Sequence, residues 1–421
     1  MTHQPRVAML SVHTCPLAVL GGKKTGGMNV YVRELSREFG RRGIAVDVFT
    51  RRQDPCLPHL NQPLGENARV IHIPAGSNAP LDPDQVYPNL PEFSANVLRF
   101  AETEGTHYDV IYSHYWLSGV AGHALRSAWH VPLIQMFHTL GLMKERITAT
   151  EGDRRTDRPA DLRSFSEADI MSWADRVTAA TPAERTQMLW LYHASRRKIA
   201  VVPPGVNTEQ FHPMPHERAK AALNLPPNAR LLLFVGRIEP LKGVDTILEA
   251  LALLKAETPA LTENLCLSII GGDPTTSGEN AEMDRLKALS QSLNLRDVVV
   301  FLGAKDQDTL NHYYAASEAL IMPSDYESFG MVALEAMACG TPVIASNVGG
   351  LAFLIRDGEN GYHVPVREPE ALAAKIRLIL EQPNLRAKLG DAAARDAADY
   401  SWVRIADRLL AVVAELKASA P

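Results

Sequence analysis

Four charged side chains are spaced for work on a ligand that carries both phosphate and hydroxyl groups. Glu327 and Glu335 stand eight residues apart in the stretch Ser324-Asp325-Tyr326-Glu327-Ser328-Phe329-Gly330-Met331-Val332-Ala333-Leu334-Glu335-Ala336-Met337-Ala338-Cys339-Gly340-Thr341-Pro342. Polar, turn-forming residues give way there to an alanine-rich helical pattern, which Gly340 and Pro342 close. The spacing predicts Glu327 on a loop and Glu335 about two turns into the helix. Between them, the amides of Phe329, Gly330 and Met331 are the unpaired donors of a first helical turn, a seat for an anion such as a diphosphate. A carboxylate on each side suits a ligand with hydroxyls at both ends, as in a nucleotide sugar. Arg237 and Lys242, five residues apart beyond the apolar run 230–235, add two cations that fit a pyrophosphate. Two surface cations would read the same way, and the Gly-Arg-x4-Lys-Gly context favours the site.

The elements that must position these groups alternate between apolar runs and helical patterns. Runs at 6–12, 45–50, 70–73, 109–113, 133–137, 176–180 and 199–202 read as strands of a first sheet. Runs at 230–235, 265–271, 298–301, 319–322 and 342–345 read as strands of a second. The class is α/β, with two doubly wound domains. Three strands of the first half end near His13, His114 and His138, and polar groups at the C-terminal ends of parallel strands are where open α/β sheets bind ligands. After the first strand comes Gly21-Gly22-Lys23-Lys24-Thr25-Gly26-Gly27, whose glycines let backbone amides approach a ligand. The helix expected over 29–42 carries Arg33, Arg37, Arg41 and Arg42. Glu34 and Glu38 beside them favour a solvated face over a membrane-docking one. Five prolines over 74–91 predict an irregular loop, with Asp82-Pro83-Asp84 as two solvated aspartates rather than a metal motif. Residues 144–161 are charged and aperiodic, a solvated loop or a flap. Val202-Pro203-Pro204-Gly205-Val206-Asn207 reads as the junction, giving domains 1–203 and 204–399 and a closing helix over 400–421. Gly349-Gly350 would face the same ligand site.

The 421 residues suffice for two buried cores, and 46% hydrophobic with 22% charged residues is ordinary globular composition. A net charge of −5 gives no reason to expect nucleic-acid binding. No apolar run approaches a membrane span, and no leader opens the chain. Cys15, Cys56, Cys266 and Cys339 lack metal-like spacing and read as reduced. These observations predict a soluble cytoplasmic protein, with no metal-binding pattern among its cysteines and membrane contact disfavoured. Oligomeric state stays open, a homodimer being the common homo-oligomer.

Glu-Ser-Phe-Gly…Glu-Ala-Met-Ala-Cys-Gly-Thr-Pro-Val, with the Pro-Pro-Gly-Val-Asn junction, resembles the signature of retaining family 4 glycosyltransferases over essentially the whole chain. The resemblance implies the GT-B fold, in which two Rossmann-like domains face each other across a cleft, the first binding acceptor and the second a UDP-sugar. It implies that Arg237 and Lys242 neutralise the donor diphosphate, replacing a metal, so that no cofactor is required. Glu335 would hold the ribose and Glu327 the transferred sugar. Phe329, Gly330 and Met331 would complete the grip, Gly26 and Gly27 would close on the diphosphate, and His138 would sit beside the anomeric carbon. The final helix would pack on the first domain. The motifs Ser-Val-His-Thr-Cys-Pro-Leu at 11–17, Gly-Gly-Met-Asn-Val-Tyr at 26–31 and Ser-His-Tyr-Trp-Leu-Ser-Gly at 113–119 resemble members that glycosylate inositol phosphate and, less closely, those that form sucrose phosphate from fructose 6-phosphate. That places His13, Asn29, Tyr115, Thr139 and Arg163 on the acceptor. Two departures accompany this. A lysine expected near Pro83 is absent, which forfeits about 1.5–3 kcal/mol of charge-assisted contact unless another cation substitutes. Lys24 replaces an acidic residue, and Lys-Thr-Gly-Gly is similar to a loop of starch and glycogen synthases. The donor sugar is N-acetylglucosamine or glucose. A non-catalytic nucleotide-sugar-binding regulator is the rival of another class.

Overall fold

Two parallel sheets, each made of strands alternating with helices, carry the chain. The structure, a computed structural model, describes residues 5–18, 26–54, 62–148, 161–272 and 281–418. The expectations for residues 21–25, Lys24 included, for Cys56 and for 149–160 lie outside the described residues. Of the described residues, those in 5–18, 26–203 and 402–418 belong to one unit, and those in 204–401 to the other.

The first unit holds β1 (Arg6–Leu10), β2 (Ala45–Arg51), β3 (Gln62–Gly65), β4 (Ala68–Ile73), β5 (Val110–His114), β6 (Leu133–Met136), β7 (Arg176–Ala179) and β8 (Ile199–Val201), in the order β3-β4-β2-β1-β5-β6-β7-β8. Every pairing is parallel except β3 with β4. Val7 pairs with Val46 on one side and Val110 on the other, so β1 is central. Strands covered on both faces are mostly apolar, which is why they read as nearly continuous runs, although Asp47, Thr50, Arg51, His72, Ser113, His114 and Gln135 are buried polar exceptions. The edge strand β3, Gln-Pro-Leu-Gly, gives no such signal, and its proline is tolerated because the strand is at an edge.

The second unit holds β9 (Arg230–Val235), β10 (Leu265–Ile270), β11 (Val299–Gly303), β12 (Ser317–Met322), β13 (Val343–Ser346) and β14 (Gly361–Val364), in the order β11-β10-β9-β12-β13-β14, all parallel. The strand order reverses direction at β9, and ligands of such sheets bind beyond the C-terminal strand ends at that point. Arg237 and Lys242 follow β9 directly.

Three local expectations need correction. Residues 74–91 are not an irregular loop throughout: a helical turn forms at Pro83–Val86 and a longer helix at Leu90–Thr103. Pro83 is the first helical residue, where its missing N–H costs nothing, and the Asp82 amide donates to Gln85 Oε1 at 3.0 Å. Both aspartates of Asp82-Pro83-Asp84 are exposed. The start of 144–161 is helical, because Gly141–Thr148 forms a helix that sequence periodicity does not reveal. Finally, the helix after Glu327 is Met331–Ala338, so Glu335 lies just over one turn inside it, not two.

The helix Gly27–Arg41 has its arginines paired with acids. Arg33 and Arg37 each reach Glu34 at 2.9 Å, Arg42 reaches Glu38 at 2.7 Å, and Arg42 also reaches Asp407 at 2.5 Å. Asp407 belongs to the last helix, Trp402–Ala418, which packs here. The Trp402 ring meets Tyr31 edge-on, centroids 5.3 Å apart. Among the described residues no helix is long and apolar enough to cross a membrane.

Candidate functional site

In the second unit the loop after β12 is built by close backbone packing. Gly330, at φ +100°, starts the helix Met331–Ala338 from the left-handed region, where a side chain would be strained. Among the described residues the amides of Phe329, Gly330 and Met331 donate no hydrogen bond, so three donors stay open beside Glu327. The far end of the helix closes through Gly340: its N–H donates to the Met337 carbonyl at 2.9 Å and the Thr341 N–H to Ala336 at 3.0 Å. Gly349 and Gly350 lie against this loop. The Gly350 amide donates to the Glu327 carbonyl at 2.9 Å. A Cβ on Gly349, whose φ is +45°, would fall 2.0 Å from that same oxygen. The glycine pair therefore shapes the Glu327 loop. Gly349→Ala is expected to push Glu327 out of place and, with Glu327 proposed below to hold the transferred sugar, to cut turnover by tenfold or more, since misplacement of about 1 Å can cost up to 10²-fold. Steady-state kinetics of the variant checks this.

Lys242 Nζ reaches Glu327 Oε2 at 2.5 Å, with both side chains largely shielded. Here the structure joins two of the four residues that the spacing singled out. Arg237 is bonded otherwise: its guanidinium is half-exposed and donates to Glu239 at 2.6 Å. Glu335 is buried and accepts from Tyr314 Oη at 2.8 Å. Burial, then the Glu335 carboxylate, push the Tyr314 phenol well above its ordinary pKa, so it stays a donor. Sequence reading missed Tyr314, which no local pattern marks. Cys339 is buried near Asn311, and the described cysteines are free.

In the first unit three neighbouring strands, β1, β5 and β6, end near His13, His114 and His138. The His13 ring lies 4.3 Å from that of Tyr115, tilted by 35°, and the Arg163 guanidinium stands 4.9 Å over the same Tyr115 ring. Tyr115 itself has φ +72°, an uncommon conformation held at the strand-to-helix turn. Arg163 donates to Thr139 Oγ1 at 3.0 Å and to the Thr139 carbonyl at 2.7 Å. It also pairs with Glu167 at 2.7 Å. Burial works against the Arg163 charge, yet Glu167, Tyr115 and Tyr192 together hold the guanidinium above its ordinary pKa. Glu167 is fully buried and also accepts from the Gly141 amide at 2.9 Å and from Tyr192 Oη. It is the unforeseen centre of this cluster. The one available signal is its position four residues after Arg163 on a helix.

Asn29 is buried and its amide is engaged: Nδ2 donates to Thr14 Oγ1 and the Cys15 carbonyl, both at 2.7 Å, and Oδ1 accepts from the Gly26 amide at 3.1 Å. It ties two loops to the start of the helix Gly27–Arg41. There, the amides of Gly27 and Met28 donate no hydrogen bond among the described residues, and Gly26 has open space around its Cα.

His138, at φ +62°, faces His114: Nδ1 of His114 and Nε2 of His138 are 3.0 Å apart. Burial, then charge on His13, push His138 down to about 3; burial, then His138, push His114 well down. Both imidazoles are neutral in the native protein at neutral pH. Because the unfolded chain binds their protons near 6.5 and the native state does not, the stabilisation is present above that pH. It is lost as pH falls from about 6.5 towards 3. The thermal stability of the wild type should therefore fall over this window more steeply than that of His138→Gln. Among the described residues no group of three or more His, Cys, Asp or Glu is placed to hold a metal ion.

Comparison with known proteins agrees with this fold. The family model "glycosyl transferases group 1" matches residues 215–396 and the model "glycosyltransferase family 4" matches residues 25–210. A D-inositol 3-phosphate glycosyltransferase of Geodermatophilus obscurus is 43% identical over 408 residues, covering 96% of this chain and 88% of that protein. Sucrose-phosphate synthase of Thermosynechococcus elongatus superposes with a TM-score of 0.87 at 34% identity, over 99% of this chain and all of that one. HepE of Anabaena, solved with UDP and glucose, shares the fold at a TM-score of 0.74 and 19% identity, over 98% of this chain and all of that one. Two parallel α/β sheets of this kind are the GT-B architecture. The chain is a glycosyltransferase and belongs to family 4.

Proposed function

We propose that the protein transfers a hexosyl group, N-acetylglucosamine or glucose, from a UDP-sugar to a small phosphorylated polyol, with retention at the anomeric carbon. The observation that carries this is the pairing of Lys242 with Glu327 at 2.5 Å beside the open amides of Phe329, Gly330 and Met331. A shielded cation and an anion seat suit a diphosphate, and the adjoining carboxylate suits sugar hydroxyls. In this reading Lys242 and Arg237 balance charge on the departing UDP without a metal ion, Arg237 leaving Glu239 to do so. Glu327 orients the transferred sugar and Glu335 the ribose. The leaving phosphate takes the acceptor proton on the same face, so the protein contributes mainly orientation and charge stabilisation. Gly26 and Gly27 add amides to the diphosphate, and His138 contacts the transferred sugar.

The acceptor reading rests on the His13–Tyr115–Arg163–Thr139 group, in which Arg163 is the cation for a phosphate. Asn29 serves it by fixing the surrounding loops. The similarity to D-inositol 3-phosphate glycosyltransferases makes inositol phosphate the first candidate. Free cysteines support a cytoplasmic setting. A screen of UDP-N-acetylglucosamine and UDP-glucose against inositol phosphate and fructose 6-phosphate tests the reading. A glycosylated inositol phosphate of retained configuration is expected. Transfer to fructose 6-phosphate alone would favour the sucrose-phosphate alternative, and no transfer with UDP still bound would favour a regulator.

Glu335→Ala is expected to weaken UDP binding by about 1.5–3 kcal/mol, on the order of ten- to a hundredfold in Kd, as for lost hydrogen bonds to a charged group. Unchanged affinity in calorimetry would refute the ribose assignment.

A further inference from the structure

We infer that His114 is a positioning residue that sets the tautomer of His138, so that His138 offers its ligand an N–H donor from Nδ1 rather than a proton-accepting nitrogen. This rests on the proposed place of His138 beside the transferred sugar. The argument begins with the 3.0 Å contact between His114 Nδ1 and His138 Nε2. Two neutral rings in contact share one hydrogen, which leaves two arrangements. Either His114 Nδ1–H donates and its Nε2 is bare, or His138 Nε2–H donates and His114 must carry its hydrogen on Nε2.

The far side of His114 decides between them. The residue is fully buried, and its Nε2 has no hydrogen-bond partner among the described residues. The Tyr112 and Tyr31 rings wall it, at centroid distances of 4.3 and 5.4 Å. Orphaned buried N–H groups are rarer than acceptors left without a donor, so the bare nitrogen belongs on this side. His114 therefore donates from Nδ1, and the hydrogen of His138 resides on Nδ1.

That nitrogen is the one left for a ligand. His138 is part-exposed, and its one hydrogen bond within the described protein is the one to His114. Its backbone is fixed in the left-handed region and its ring is held edge-on to Tyr31 at 5.2 Å. A neutral N–H aimed from a rigid site suits a sugar oxygen and cannot take the acceptor's proton, which leaves that proton to the departing phosphate.

The test uses the full-length protein labelled with ¹⁵N-histidine. Long-range ¹H–¹⁵N correlation of the wild type should show both His114 and His138 protonated on Nδ1. His138 protonated on Nε2, with the His114 Nε2–H turned to the Tyr112 ring, overturns the inference. His114→Asn keeps a donor near Nδ1 and should hold kcat within about threefold. His114→Leu should release the His138 tautomer and lower kcat about tenfold, with KM for the donor within about twofold. This is the range expected when a group orienting another is removed. Equal kcat in the two variants also overturns it. Failure of the wild type to transfer from any UDP-sugar would remove the functional reading, while the tautomer measurement needs no substrate and still decides the role of His114.

Discussion

Lys242→Ala is expected to lower kcat by about two to three orders of magnitude, with a far smaller change in KM for the donor. Charge on the departing diphosphate grows through the transition state, and a fixed donor aimed at developing charge is worth about 10²–10³ in turnover. Lys242 is shielded, so its field is weakly screened compared with a surface lysine. Its removal also strands the Glu327 carboxylate beside the anion seat, where it would repel phosphate. Lys242→Ala combined with Glu327→Gln separates the two effects. If the loss came from the stranded carboxylate, the double variant would recover turnover; recovery is expected to stay within about tenfold. Lys242→Arg restores charge but not the compact shape of an ammonium, and should recover only part of the rate. Single-turnover kinetics checks the assignment, and unchanged turnover in Lys242→Ala would sink the leaving-group role.

Glu167→Ala is expected to cost stability on a similar scale. The carboxylate is fully buried and meets Arg163, the Gly141 amide and Tyr192 Oη together. Breaking a buried pair by removing one partner costs about 3–5 kcal/mol, because the other charge stays desolvated. Arg163 would also lose the contact that holds it against Thr139 and over Tyr115, so acceptor KM should rise along with the loss of thermal stability. Glu167→Gln keeps the shape and some hydrogen bonds and should fall between. Calorimetric unfolding and acceptor kinetics read the two effects separately, and a wild-type melting profile in Glu167→Ala would overturn the role given to the carboxylate.

How far the residues announce this depends on how local the physics is. The strand at Arg230–Val235 coincides with its apolar run after Arg230, because the five positions buried on both faces are all apolar. The Gln62–Gly65 and Gly361–Val364 edge strands have four residues each and no such run, so pairing, not composition, makes them strands. Glu327 and Lys242 carry a motif and a spacing, and the fold brings them together. Arg237 carries the same kind of signal, yet it turns to Glu239, because exposed guanidinium groups settle on the nearest carboxylate. Tyr314 and Glu167 had no motif at all. Each acquires its partner through packing of elements whose approach no short window of sequence encodes. The helix that carries Glu335 starts later than its composition implies for a related reason: the left-handed Gly330 delays helix formation until Met331.

The course of the chain between its two units has a consequence for biosynthesis. The first unit takes the chain through Pro203 and then again from Trp402 onward. Pro204–Ser401 is synthesised in one piece and can complete its sheet while still on the ribosome. The earlier-made unit must wait, with Tyr31 and the acidic–basic face of Gly27–Arg41 lacking their cover, until Trp402–Ala418 emerges. The first half of the chain to be made is thus the last to be finished, and a nascent chain stalled before Trp402 exposes an aromatic surface to chaperones.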